Sequence, residues 1–314
     1  MSKRTAFITG VSGEVGQGLV RRLREAGNFN IVGLDVIEFD TKTEGMVDEF
    51  WQMDILDPGL ENKMRRLRPN MVFHLAAILS TAAELDIWKA QAVNVEGTIK
   101  LLSWCGRGTK FVFPSSIAAY GFSNLEEKSQ AGAVHEDEFT KPVTLYGCQK
   151  LFGENLGRYF ARKSGIDFIC VRFPGLISAE TLPTGGTSDY APQMVNAAAK
   201  RESYTCFARN DTQIPFMAMA DGVRALVELA EAQPEKLSRR VYNVAGFSAR
   251  ADEIAGVAGE VFGEFEVRYE VDEKRQVILD SWPQALDDGA AQGDWGWRPE
   301  YDLEKTVRAY EVVK

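Results

Sequence analysis

Histidine is the scarcest chemically versatile residue in this chain: only His74 and His135 occur among 314 residues. The four cysteines, Cys105, Cys148, Cys170 and Cys206, stand far apart with no CxxC spacing. Together these argue against a His/Cys zinc arrangement, and no metal site is expected. No apolar run reaches the length of a membrane span, and MSKRTAFITG goes straight into a strand pattern rather than a signal peptide. Without a secretion signal the thiols are expected to be reduced, which suggests a cytoplasmic protein. Lys and Arg nowhere cluster and the formal net charge is −9. Neither nucleic acid nor an anionic membrane is therefore an expected partner. Internal repeats and low-complexity tracts are also missing.

What remains is the composition of an ordinary folded protein, 45% apolar and 26% charged, long enough for a large domain and a smaller companion. Short β-branched runs alternate with longer helical patterns. TAFIT (5–9), NIVGLD (30–35), WQMDI (51–55), MVFHLA (71–76), KFVFPS (110–115) and DFICVRFP (167–174) read as strands. Helices are expected after the first strand to about Ala26, at about 88–104, and from about Thr144 to Ser164, with Pro142 at the entrance and Gly165 at the exit. RRVYNVAG (239–246) reads as a returning strand, and helices at 191–200, 251–262 and 303–313 complete the pattern. The fold class is α/β: a Rossmann-type doubly wound parallel sheet with a smaller, C-terminal α/β cap for substrate. Residues 1–177, with 218–247 returning, form the nucleotide-binding domain; 178–217 and 248–314 form the cap.

The first strand runs into Gly10-Val11-Ser12-Gly13-Glu14-Val15-Gly16, and a helix follows. Glycines there allow a tight turn and a close backbone approach to a diphosphate, which would rest on the free N–H groups of the helix start. Asp35 ends the next strand, nineteen residues after Gly16. A carboxylate there accepts from ribose hydroxyls and repels a 2′-phosphate, so the expected coenzyme is NAD. Asp54 fits either an acceptor for the adenine amino group or a turn aspartate. His74-Leu75-Ala76-Ala77 offers small residues where the coenzyme would cross the sheet edge, with His74 structural. Further on, TLYGCQK places Tyr146 and Lys150 one helical turn apart, on one face, about 5–6 Å between Cβ atoms. Cys148 points elsewhere and reads as a packing residue.

The pieces TGVSGEVG, Asp35, MDI, HLAA, Asn94 in NVEGT, PSSIAAYG, Tyr146/Lys150 and DWGW occur in the order found in extended short-chain dehydrogenases/reductases, and the chain resembles that family. The resemblance implies catalysis by Tyr146, Lys150 and Ser116, with Ser115 the adjacent alternative. It implies coenzyme contacts from Gly10, Ser12, Gly13, Glu14, Val15, Gly16, Asp35, Asp54, Ile55, Leu75, Ala76, Ala77, Asn94, Tyr146 and Lys150. An ammonium and an oxidised nicotinamide beside a phenol favour phenolate, which makes Tyr146 a base for an alcohol proton.

Within the family, HLAAILS, PSSIA, RFPGLIS, PTGGTSDYA, YTCF, DSWPQALDD and DWGWRPEYDL resemble the L-threonine 3-dehydrogenase subgroup. That likeness implies oxidation of the L-threonine hydroxyl, with substrate contacts from Ser80, Ser115, Ser116, Tyr146, Gly186, Thr187 and Trp282. The competing readings are a nucleotide-sugar epimerase or dehydratase, a dehydrogenase of another small hydroxy acid, and a catalytically silent NAD sensor. Family members pair through two helices, which implies a homodimer through 88–104 and 144–164. The stretch 122–139, polar and acidic, is expected to be a surface excursion.

Overall fold

The computed structural model describes residues 3–38, 45–181 and 185–312. Seven strands make its central sheet: β1 (Arg4–Thr9), β2 (Phe29–Asp35), β3 (Glu49–Gln52), β4 (Met71–His74), β5 (Lys110–Ser116), β6 (Asp167–Phe173) and β7 (Val241–Asn243). Their order is β7-β6-β5-β4-β1-β2-β3, and every neighbouring pair is parallel. The order reverses beside β1, so the carboxyl ends of β1 and β4 flank the crevice where such sheets bind ligands.

Alternation along the strands explains the two covered faces. Ala6, Ile8, Val112, Ile169 and Val171 point to one side, where Leu19 and Leu23 of the Glu14–Ala26 helix and Leu226 and Leu229 of the Met219–Glu231 helix cover them. Phe7, Phe111, Phe113, Phe168 and Cys170 point to the other, under Leu101, Leu102 and Phe160. The helix expected at 88–104 is continuous from Ile87 to Trp104 but passes through a π-helical turn at Gln91–Gly97. Such turns recur at functional sites because they re-aim side chains.

The Leu145–Ser164 helix is capped by Thr144, whose Oγ1 accepts from Gly147 N at 3.0 Å, and closes on a left-handed Gly165. Pro142 thus lies just ahead of the cap. This helix sits unusually close to the sheet. A Cβ at Gly147 would fall on the Ala118 carbonyl, and one at Gly157 on the Phe168 ring.

A second core forms around Tyr190, Met194, Ile214, Phe216, Ile254, Trp282 and Tyr310. Its framework includes Gly175–Ile177, Gln213–Ala218 and Phe247–Arg250, paired as a small sheet. Periodicity left out the short helices Leu60–Leu67, Leu125–Ala131, Glu273–Ser281 and Gly289–Trp295.

The stretch 122–139 is mostly exposed, as a surface excursion would be, but is anchored at four buried residues, Phe122, Lys128, Val134 and Glu136. Phe122 and Val134 enter the second core, and Ala133–Val134 pairs with Ala285–Leu286. Two of its charges are buried with partners, while Glu126, Asp137 and Glu138 stay exposed: Lys128 Nζ donates to Leu279 O at 3.0 Å, and Glu136 accepts from Arg239 Nη1 at 2.6 Å and Asn243 N at 3.0 Å. The polar composition thus mixes solvent-facing groups with these two paired interior ones.

Candidate active site

At the end of β1, Gly10 adopts φ 71°, and a Cβ there would stand 2.7 Å from Ala76 N. A Cβ on Gly16 would stand 2.5 Å from the carbonyl oxygens of both Gly10 and Val11. Only hydrogen fits at either position, so turn, helix start and the Leu75–Ala77 segment pack backbone against backbone. Gly13 caps the helix without a side-chain acceptor, leaving the first N–H groups of Glu14, Val15 and Gly16 turned toward the crevice end. Asp35 is drawn to the same turn: its Oδ2 accepts from Ser12 N at 2.9 Å and its Oδ1 from Ile37 N at 3.2 Å. These residues fit a dinucleotide diphosphate on the helix start and a ribose beside Asp35.

Asp54 and Ile55 follow Met53, whose N–H donates to Asp35 O at 2.9 Å. Asp54 Oδ1 accepts from Leu56 N at 2.8 Å, closing its own turn, while Ile55 sends its side chain into the core against Gly97. Asn94, rising from the π-helical turn, holds the strand-end segment: it donates to Ile78 O at 3.0 Å, accepts from Ile78 N at 2.8 Å, and donates to Gln149 Oε1 at 2.7 Å. Its side chain therefore positions residues 76–78. His74 lies between Thr9 Oγ1 at 2.8 Å and Thr98 Oγ1 at 2.9 Å. Burial, and the Lys150 charge second, push it down to about 3, so it is neutral and structural.

Gly147 on the Ala118 carbonyl brings the start of the Leu145–Ser164 helix onto the Ser116–Ala119 turn. Tyr146 and Ser116 thereby lie at one end of the sheet. Ser116 Oγ accepts from Ala118 N at 3.1 Å, and among the described residues its hydroxyl proton has no acceptor. Lys150 is buried, donates to Pro114 O at 2.7 Å, and its ammonium lies 5.4 Å from the Tyr146 ring centroid and 4.8 Å from that of Phe113. Burial pushes Lys150 down to about 8. Cys170 and Glu154 oppose that shift, but the buried Cys170 thiol is itself raised well above its ordinary range and stays neutral. Glu154 is thus the real counter-charge. Tyr146 keeps a part-exposed edge, yet burial raises its phenol above the ordinary value. The protein's own groups therefore hold Tyr146 neutral; acidifying it takes a further positive charge at the site.

Ser115 is a correction. Its hydroxyl donates to Glu154 Oε1 at 2.6 Å, deep in the interior, so it serves neither as the alternative catalytic serine nor as a substrate contact. Glu154 in turn receives Arg172 Nε at 2.8 Å and Nη2 at 2.7 Å, with both side chains at most 1% exposed. Sequence reading passed over this pair. The signals were present: Glu154 one turn beyond Lys150, and an arginine inside the apolar strand FICVRFP.

On the cap side, Ser80 Oγ and Thr187 Oγ1 are 3.2 Å apart and buried. Gly186 donates its N–H to Asp189 Oδ2 at 2.6 Å and accepts from Arg275 Nη2 at 2.8 Å. Trp282 is 4% exposed, its Nε1 has no partner among the described residues, and it shares the buried cluster against which Tyr146 packs. Pro183 and Thr184 of the PTGGTSDYA segment lie outside the described residues.

The profile of the NAD dependent epimerase/dehydratase family matches residues 6–245. A mitochondrial L-threonine 3-dehydrogenase of Bos taurus is 35% identical over 97% of this chain and 81% of its own length. A threonine dehydrogenase from Cupriavidus necator, in its holo form, superposes with a TM-score of 0.89 at 35% identity, covering 98% of each chain. A monomeric L-threonine 3-dehydrogenase from a metagenome superposes at 0.88 with 31% identity, over 98% of this chain and all of its own. With the parallel sheet, the glycine turn and its acidic strand end already in place, the chain belongs to the NAD-dependent epimerase/dehydratase family of extended short-chain dehydrogenases/reductases.

Proposed function

We propose that the protein oxidises the β-hydroxyl of L-threonine to 2-amino-3-oxobutanoate with NAD. The observation that carries this reading is the convergence of Tyr146, Lys150 and Ser116 at the sheet end that also bears the Gly10–Ala76 contact. Relatives that act on threonine support the substrate. Bound NAD+ supplies the hydride acceptor and a positive ring charge. Tyr146 Oη takes the hydroxyl proton once that charge offsets its burial. Lys150, with Glu154 as its counter-charge, favours the phenolate and would hold the nicotinamide ribose. Ser116 Oγ, with its proton free, steadies the substrate oxygen. Ser80 and Thr187 meet the polar end of the amino acid, Gly186 shapes the loop, and Trp282 forms the apolar wall. The test is NADH formation from L-threonine, its stereoisomers, L-serine and UDP-glucose. Turnover of UDP-glucose without L-threonine would replace this reading by a nucleotide-sugar one.

The same reading extends to a homodimer. Trp88 is 80% exposed and Leu85 84%, while Phe152 and Tyr159 stand out from the neighbouring helix. Covering these on a second copy would bury apolar surface that few monomers display. One relative is monomeric, so light scattering decides: a mass twice that of the chain supports the pairing, and a single-chain mass rules it out. Among the described residues no helix is long and apolar enough to cross a membrane. All four cysteines are free thiols, which supports a reducing compartment such as the cytoplasm.

A further inference from the structure

Glu14 opens the helix on which a coenzyme diphosphate would rest, yet its carboxylate is poorly placed to stay charged there. Among the described residues its Oε1 is shut off from solvent and has no hydrogen-bond partner. The carboxyl faces the loop that follows Ile177. In that loop Thr181 Oγ1 donates to Ser178 Oγ at 2.8 Å, and Asp189, 8% exposed, adds a second carboxylate beside Glu14. From the other side comes Tyr310, whose hydroxyl donates to Ser178 O at 2.5 Å. Cations nearby are otherwise engaged: Arg21 of the same helix pairs with Glu180, and Arg275 bonds Gly186 O and lies over Phe207. No ion pair to Glu14 forms among the described residues. An ionised Glu14 would thus bring a third negative centre, one oxygen unsatisfied, to a place meant for a diphosphate beside Asp189. Burial first, and Asp189 second, raise it to about 7.

We propose that Glu14 is a proton-linked coenzyme residue: it is neutral when NAD is bound, so NAD binding takes up a proton at this carboxyl. The inference rests on the reading that the diphosphate of NAD occupies the Gly10–Gly16 turn. It also joins that turn to the substrate side. Asp189 is the acceptor that shapes Gly185 and Gly186, immediately before Thr187, with N–H donors at 2.9 Å and 2.6 Å. A charge change at Glu14 is therefore felt by the loop carrying a substrate hydroxyl, and coenzyme and substrate affinities are coupled in both directions.

Calorimetric titration of NAD in buffers of differing ionisation enthalpy tests this, with Glu14→Gln beside the wild type. For the wild type, affinity weakens about tenfold from about pH 6 to about pH 8, and about half a proton is taken up near pH ~7. Other groups near the coenzyme, Asp35, Tyr146 and Lys150, remain in both proteins, so the difference between the two isolates Glu14. Glu14→Gln binds NAD with the wild type's low-pH affinity at all these pH values and loses the uptake. Asp189→Asn, which removes the neighbouring charge, moves the wild-type inflexion to lower pH. Affinity that is flat in the wild type, or equally pH-dependent in Glu14→Gln, overturns the proposal while leaving NAD binding intact. Failure of both proteins to bind NAD at any pH overturns the reading of the turn itself, and the proposal with it.

Discussion

Replacing Glu154 by Gln keeps the side-chain volume and removes one charge from the interior behind the Tyr146–Lys150 helix. The carboxylate accepts three hydrogen bonds, from Ser115 Oγ, Arg172 Nε and Arg172 Nη2. The variant leaves the guanidinium with the Glu136 carbonyl at 2.6 Å and the Tyr120 ring at 4.7 Å, neither a full counter-charge. Breaking one side of a buried pair costs about 3–5 kcal/mol, mostly because the remaining ion is desolvated and uncompensated. Urea unfolding followed by tryptophan fluorescence and circular dichroism should show that loss as a lower midpoint. Glu154→Gln combined with Arg172→Met removes both ions, and is expected to recover about half of the loss or more. The substitution also strips Lys150 of its counter-charge, so its pKa falls further and the alkaline fall in kcat/KM, where the ammonium is lost, moves to lower pH. A single variant within about 1 kcal/mol of wild type would refute the reasoning, as would a double variant less stable than either single one.

Other substitutions probe the coenzyme site. Asp35→Gly removes the acceptor at the end of β2 and should weaken NAD by about ten- to a hundredfold, narrowing the preference over NADP, as read from NADH and NADPH formation. Gly16→Ala forces a Cβ to within 2.5 Å of two backbone oxygens; the turn opens, and NAD binding falls while the circular dichroism spectrum stays close to wild type. Ser116→Ala should lower kcat about a hundredfold with little change in NAD affinity, because the hydroxyl acts where negative charge develops.

The central sheet was legible because its strands are buried on both faces and read as near-continuous apolar runs between helical patterns. The glycine turn was legible because steric exclusion at Gly10 and Gly16 leaves one residue type. Short cap elements such as Leu125–Ala131 carry too few turns for periodicity and are held by tertiary pairs such as Lys128 with the Leu279 carbonyl. Spacing alone did not separate Ser115 from Ser116. What separates them is alternation along β5: one hydroxyl points inward to Glu154, its neighbour to the crevice. Likewise spacing does not show that the Asn94 amide bonds Ile78 and Gln149. The charge state of Tyr146 was the least legible feature. An ammonium and an oxidised nicotinamide together were expected to acidify the phenol, and the sequence showed nothing of the burial that opposes them.

Comparison of NADH formation from L-threonine by the wild type and by Tyr146→Phe, with NAD binding measured on the same samples, bears most directly on that phenol. The account predicts steady NADH production by the wild type, a fall of about a hundred- to ten-thousandfold in the variant, and unchanged coenzyme binding. A variant that keeps turning over threonine at the wild-type rate would contradict it.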